Sequence, residues 1–114
     1  MTEMTEQVAV RALSALAQTA RLRIYRAVVG VGPAGVTPGT LAATLGIPPS
    51  TLSFHVKELL HAGLVTQERD GRRLIYRPSI ETMNSLLAYL SAHCCQAVTC
   101  EGFEPQSTVS RSGC

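Results

Sequence analysis

The sequence predicts a mainly α-helical fold with one small β-hairpin. Three observations lead there. Aromatic residues make up 4% of the chain and apolar residues 46%, so the core must be built from Leu, Val, Ile and Ala, of which Ala and Leu favour helices. Apolar positions recur at helical spacing through residues 5–63 and again through residues 80–93. Between these stretches the period shortens to two around an Asp-Gly pair, a strong short-range hairpin signal.

The elements follow in order. Thr5 to Ala17 reads as a helix, with Ala9, Leu13, Leu16 and Ala17 at helical spacing and Val10 widening the face. Gln18-Thr19 interrupts it, and Thr19 can N-cap a second helix, ARLRIYRAVVG, whose apolar face is Leu22, Val28 and Val29 with Ile24 and Tyr25. The Gly-rich run VGVGPAG breaks the chain. Thr37-Pro38 then starts a third helix with a hydroxyl cap and a proline whose missing N–H costs nothing in the first turn, and Gly46 ends it. In IPPSTLSFHVKELLHAG, Ser50 is the expected N-cap, Leu52, Val56, Leu59 and Leu60 the buried stripe, and Gly63 the stop. These two helices, joined by Gly46-Ile47-Pro48-Pro49, form a helix-turn-helix.

LVTQERDGRRLIYRP reads as two strands around a turn at Asp70-Gly71, with Leu74 and Tyr76 sharing the half-buried face and Pro78 ending the second strand. Ile80 to His93 is a last helix. Ile80, Met83, Leu87 and Leu90 form one stripe, and Leu86 and Tyr89 add another. A terminal helix with two apolar faces needs two neighbours: its own core and a second subunit, unless it is simply buried deeply in one domain. From Cys94 the pattern dissolves into a Ser/Gly/Pro-rich segment expected to be mobile. The domain division is therefore 1–93, a winged helix-turn-helix unit, and 94–114, a cysteine-containing tail.

The 114 residues suit one domain. A net charge of +2 says little by itself about partners, so charge placement must decide. MTEMTEQVAV lacks the basic start and apolar run of a signal peptide, and no apolar run approaches a membrane span, so the expectation is a cytoplasmic protein with reduced thiols. Away from the Leu/Val stripe of the second helix-turn-helix element lie Ser50, Thr51, Ser53, Phe54, His55 and Lys57. Such residues at a helix N-terminus can enter a major groove. Arg69, Arg72 and Arg73 on the hairpin are placed to meet phosphates or the adjacent minor groove. Three arginines at a turn are often only solvated; following a helix-turn-helix they favour double-stranded DNA as the partner.

The stretches ALAQTARLRIYRAV, LAATLGIPPSTLSFHVKELLHAGLV and RDGRRLIYR resemble the ArsR/SmtB family of metal- and metalloid-responsive repressors over about residues 8–90. The resemblance implies a homodimer joined by the first and last helices, which binds its operator without inducer or cofactor and leaves it when inducer binds. The chain departs from the family where Gln18-Thr19 stands in place of the frequent Asp-Pro.

The family's inducer site moves among its members. Some use a Cys-x-Cys pair in the first helix of the helix-turn-helix, where this chain has TPGTLAATLG and no cysteine. Others use Asp, His and Glu on the last helix, which here offers only Glu81 and His93. What remains is HCCQAVTC, holding Cys94, Cys95 and Cys100, similar to the arsenic repressors whose three thiols follow the last helix. The chemistry fits. Trivalent arsenic is soft and takes three thiolates in a pyramid, and the spacer before Cys100 is short enough to close at little entropic cost. Antimonite, or a methylated arsenite on two thiolates, would suit the same donors.

Other readings stay open. Zinc or cadmium would want a fourth ligand from His93 or Cys114. Redox or sulfide sensing would pair Cys94 or Cys95 with Cys100 or across a dimer, since adjacent cysteines close only a strained ring. An enzyme is disfavoured: beside the thiols stands only His93, and there is no phosphate loop or Ser/His/Asp set.

Overall fold

The computed structural model describes residues 4–92. Within them lie five helices and one hairpin: α1 (Glu6–Leu16), α2 (Thr19–Val31), α3 (Pro38–Leu45), α4 (Pro49–His61), β1 (Val65–Asp70), β2 (Arg73–Pro78) and α5 (Ile80–Ser91). The mainly α expectation with a small antiparallel hairpin holds, and the order is that of a winged helix-turn-helix. His93 and the tail at 94–114 lie outside the described residues.

Local chemistry explains most boundaries. The Thr5 hydroxyl accepts the Val8 N–H at 3.2 Å, and Thr37 accepts the Thr40 N–H at 3.3 Å, each satisfying an orphan donor of the first helical turn. Two caps differ from expectation. The α2 cap is Gln18, whose Oε1 accepts the Arg21 N–H at 3.1 Å, while Thr19 is already helical. The α4 cap is Pro48, with Pro49 in the first turn and no side-chain cap bond; the fixed proline φ sets the turn, and Ser50 lies inside the helix.

Helices α3 and α4 end alike. Gly46 and Gly63 take φ values of 68° and 78°. The following Ile47 and Leu64 N–H groups donate back to Ala42 and Leu59 at 3.2 and 3.0 Å, closing the last carbonyls.

The core gathers around α4, which packs against α1, α2, α3 and β1. Leu52, Val56 and Leu59 are buried there with Ile24, Val28, Leu41, Leu64 and Leu86. Of the expected α1 stripe, Ala9 is buried and Leu16 packs half-buried against the core, but Leu13 and Ala17 are exposed, and Ala12 and Ala15 complete the inward face. Val10 is exposed as well. On α2, Ile24, Tyr25 and Val28 are buried, whereas Leu22 and Val29 face outward. On α5 only Leu86 is buried; Ile80, Leu87, Tyr89 and Leu90 are exposed. The two apolar faces expected of α5 are thus one face in the core and one open.

The hairpin pairs Val65 with Pro78 through Asp70 with Arg73. Its central turn residues are therefore Gly71 and Arg72, one position later than expected, with Gly71 at φ 66° supplying the positive angle that hairpin turns need. Strand β2 also gains a partner on its other edge. Val36 and Tyr76 exchange backbone hydrogen bonds of 2.9 and 2.8 Å, and Arg77 Nε donates to the Pro33 carbonyl at 2.9 Å. Ile75 and Tyr76 are accordingly both buried, one on each face of the strand.

Candidate nucleic-acid interface

The surface of α4 is set by its stripe. With Leu52, Val56 and Leu59 turned inward, Ser50, Thr51, Ser53, Phe54 and Lys57 stand on open surface. His55 does not join them. It is 9% exposed, because helical spacing from Leu52 and Leu59 puts position 55 on the buried side. Its expected outward position is corrected: the imidazole points into the domain, where Nδ1 accepts the Arg21 Nε–H at 3.4 Å. This makes Arg21 of α2 a functional neighbour that the sequence did not single out. No periodicity marks a contact between residues 34 positions apart. Phe54 lies edge-on to the His55 ring, centroids 5.3 Å apart and planes at 66°.

On the hairpin, Arg69, Arg72 and Arg73 are exposed. Among the described residues the one ion pair joins Arg77 to Glu68. That pairing separates the wing's cations into two kinds: Arg77 is tied to the domain at both ends of its guanidinium, whereas Arg69, Arg72 and Arg73, like Lys57, form no ion pair among the described residues.

A second surface lies on α1 and α5, which pack against each other. Leu13 is 41% and Leu87 56% exposed, accompanied by Val10, Ile80 and Leu90. No group of three or more His, Cys, Asp or Glu side chains among the described residues could hold a metal ion. Cys94, Cys95 and Cys100 lie outside those residues, as does Cys114. No helix among the described residues is long and apolar enough to cross a membrane.

A helix-turn-helix followed by an arginine-bearing hairpin is the winged helix-turn-helix architecture, the class of fold used by many transcriptional regulators. A family model described as a helix-turn-helix domain matches residues 16–68. The chain is similar to the HTH-type transcriptional regulator YgaV of Escherichia coli (strain K12), 30% identical over 59 residues, which are 52% of this chain and 60% of that protein. The chain thus spans less than two thirds of this curated relative. Among solved structures, a predicted DNA-binding transcriptional regulator from E. coli is 30% identical, with a TM-score of 0.59, over 72% of this chain and 84% of that one. A possible transcriptional regulator for arsenical resistance is 28% identical, with a TM-score of 0.61, over 77% of this chain and 93% of that one. These likenesses place the chain among proteins similar to helix-turn-helix transcriptional regulators.

Proposed function

We propose that the chain is a homodimeric repressor that binds operator DNA and is released when trivalent arsenic or antimony binds Cys94, Cys95 and Cys100. The observation that carries the DNA part is the exposed N-terminal half of α4. Ser50, Thr51, Ser53, Phe54 and Lys57 would meet the major groove, and Arg69, Arg72 and Arg73 the phosphates beside it. His55 supports this surface from behind rather than touching bases.

The dimer reading is supported by the open apolar faces of α1 and α5, where Leu13, Leu87 and Leu90 would leave water. The inducer reading rests on the donor set in HCCQAVTC, three soft thiolates within seven residues. It is supported by the likeness to a possible regulator of arsenical resistance. In this reading residues 94–114 are the inducer-binding tail. They follow α5, so binding there would act on the dimer-forming elements and change the spacing of the two recognition helices. A hundredfold loss of operator affinity needs only about 2.7 kcal/mol of coupling between the sites.

The test is operator binding by fluorescence anisotropy on reduced protein, titrated in parallel with arsenite, zinc and an oxidant. Release by arsenite, lost in Cys95→Ser, is the expected outcome. Release by oxidant alone would make the thiols a redox or sulfide sensor; release by zinc would bring in His93 or Cys114 as a fourth ligand.

A further inference from the structure

We infer that Phe54 reads the C5-methyl group of a thymine in the operator, a deepening that rests on the DNA-binding reading of α4. Phe54 is 59% exposed in the middle of an otherwise polar surface made by Ser50, Thr51, Ser53 and Lys57. Its ring is not part of the core. Nor does it belong to the apolar surface of α1 and α5, so dimer formation does not account for it. A single exposed apolar side chain is ordinary in itself; what sets Phe54 apart is its place on the exposed face of α4, among the polar residues offered to the groove.

In the major groove the choice of cover is narrow. Guanine, adenine and cytosine edges present hydrogen-bonding groups there, and only thymine presents a methyl group. A phenyl ring can neither donate nor accept a conventional hydrogen bond, so the methyl is the one feature it suits. Wedging between base steps is the habit of apolar side chains approaching from the minor groove, not of a helix in the major groove.

The ring is also held in place. It rests edge-on against His55 at 5.3 Å, and His55 is in turn buried and fixed by Arg21 of α2 at 3.4 Å. A reading group braced from the interior loses little freedom on contact, which favours selectivity. The neighbouring Ser and Thr hydroxyls are adaptable and tolerate several bases; Phe54 supplies the discrimination they lack.

The experiment uses the full-length reduced protein and duplexes selected by it from a random-sequence pool. Each thymine of the selected half-site is replaced singly by deoxyuracil, which removes the methyl and nothing else. Replacement at one position per half-site is expected to weaken wild-type binding about fourfold, the value of one buried methyl group. Phe54→Ala, a surface change whose folding is checked by circular dichroism, is expected to bind the thymine and uracil duplexes equally. Wild-type binding that ignores uracil at every position would overturn the inference while leaving DNA binding intact. So would a Phe54→Ala protein that keeps the thymine preference. Selection of no duplex by the wild-type protein would overturn the DNA reading and this inference together.

Discussion

Removing Arg72 and Arg73 together should flatten the salt dependence of operator binding, whereas removing Arg77 should not. Lys57, Arg69, Arg72 and Arg73 are exposed and form no ion pair among the described residues. If each meets one phosphate, a dimer neutralises about eight, and log K falls against log salt with a slope of about −7. Arg72→Ala with Arg73→Ala deletes four of those contacts per dimer and should bring the slope to about −3.6. Between 50 and 200 mM salt, wild-type affinity would then drop by roughly 10⁴ and that of the double variant by roughly 10². Arg77 is already occupied by Glu68 and the Pro33 carbonyl, so Arg77→Ala should lower stability but leave the slope near the wild-type value. Fluorescence anisotropy across a salt series gives all three slopes. A double variant with the wild-type slope would refute the assignment of the wing to phosphates, and an equal change in Arg77→Ala would refute the division of the cations by pairing.

Four further outcomes are expected. Gly35→Ala should destabilise the domain by about 2–4 kcal/mol in urea denaturation, combining overpacking with a left-handed backbone; an added Cβ would lie 2.5 Å from Ile75 Cγ2 at a φ of 82°. Leu87→Glu should shift the protein from dimer to monomer in sedimentation without loss of helical signal, since that side chain is 56% exposed in one protomer. Lys57→Ala should weaken DNA binding while arsenite uptake by the tail is unchanged, as measured by thiolate-to-arsenic absorbance. At alkaline pH, burial raises the Tyr25 and Tyr76 hydroxyls above their ordinary value of 10.0, so the folded state holds these protons more tightly than the unfolded chain. Their contribution is intact below pH 10.0 and is lost as pH rises through the folded values, so Tyr76→Phe should unfold less steeply in that range.

Much of this was legible in the sequence because caps and breakers act locally. Thr5, the Thr37-Pro38 pair, Gly46 and Gly63 each end or begin a helix through bonds within a few residues, and the structure has them where pattern put them. Position 55 lies on the opposite side from the one expected: its spacing from Leu52 and Leu59 points inward, but histidine's polarity argues outward, and the Arg21 donor that makes burial tolerable is remote in sequence. The sidedness of α1 was not legible. Both its alanine stripe and its Val/Leu stripe have helical period, and only the close approach of neighbouring helices selects the small side chains for the inside. The Val36 bridge to Tyr76 is similarly a long-range pairing without a local signal. The thiols are legible as chemistry alone, for their geometry lies beyond the described residues.

The same bridge constrains how any signal can travel. Val36 immediately precedes the cap of α3, and Tyr76 sits in the middle of the wing's second strand, so two backbone bonds rivet the wing to the start of the helix-turn-helix. Arg77 adds a third tie to the same loop. The wing is thus bonded to the start of the helix-turn-helix, and α4 packs against β1, so wing and helix-turn-helix are joined at two places. Under the proposed dimeric reading, an effector acting through α5 would turn whole reading heads against each other, as calipers open and close, rather than bend a finger. Under that reading, changes in half-site spacing, more than changes in the bases preferred within a half-site, would distinguish induced from repressing states.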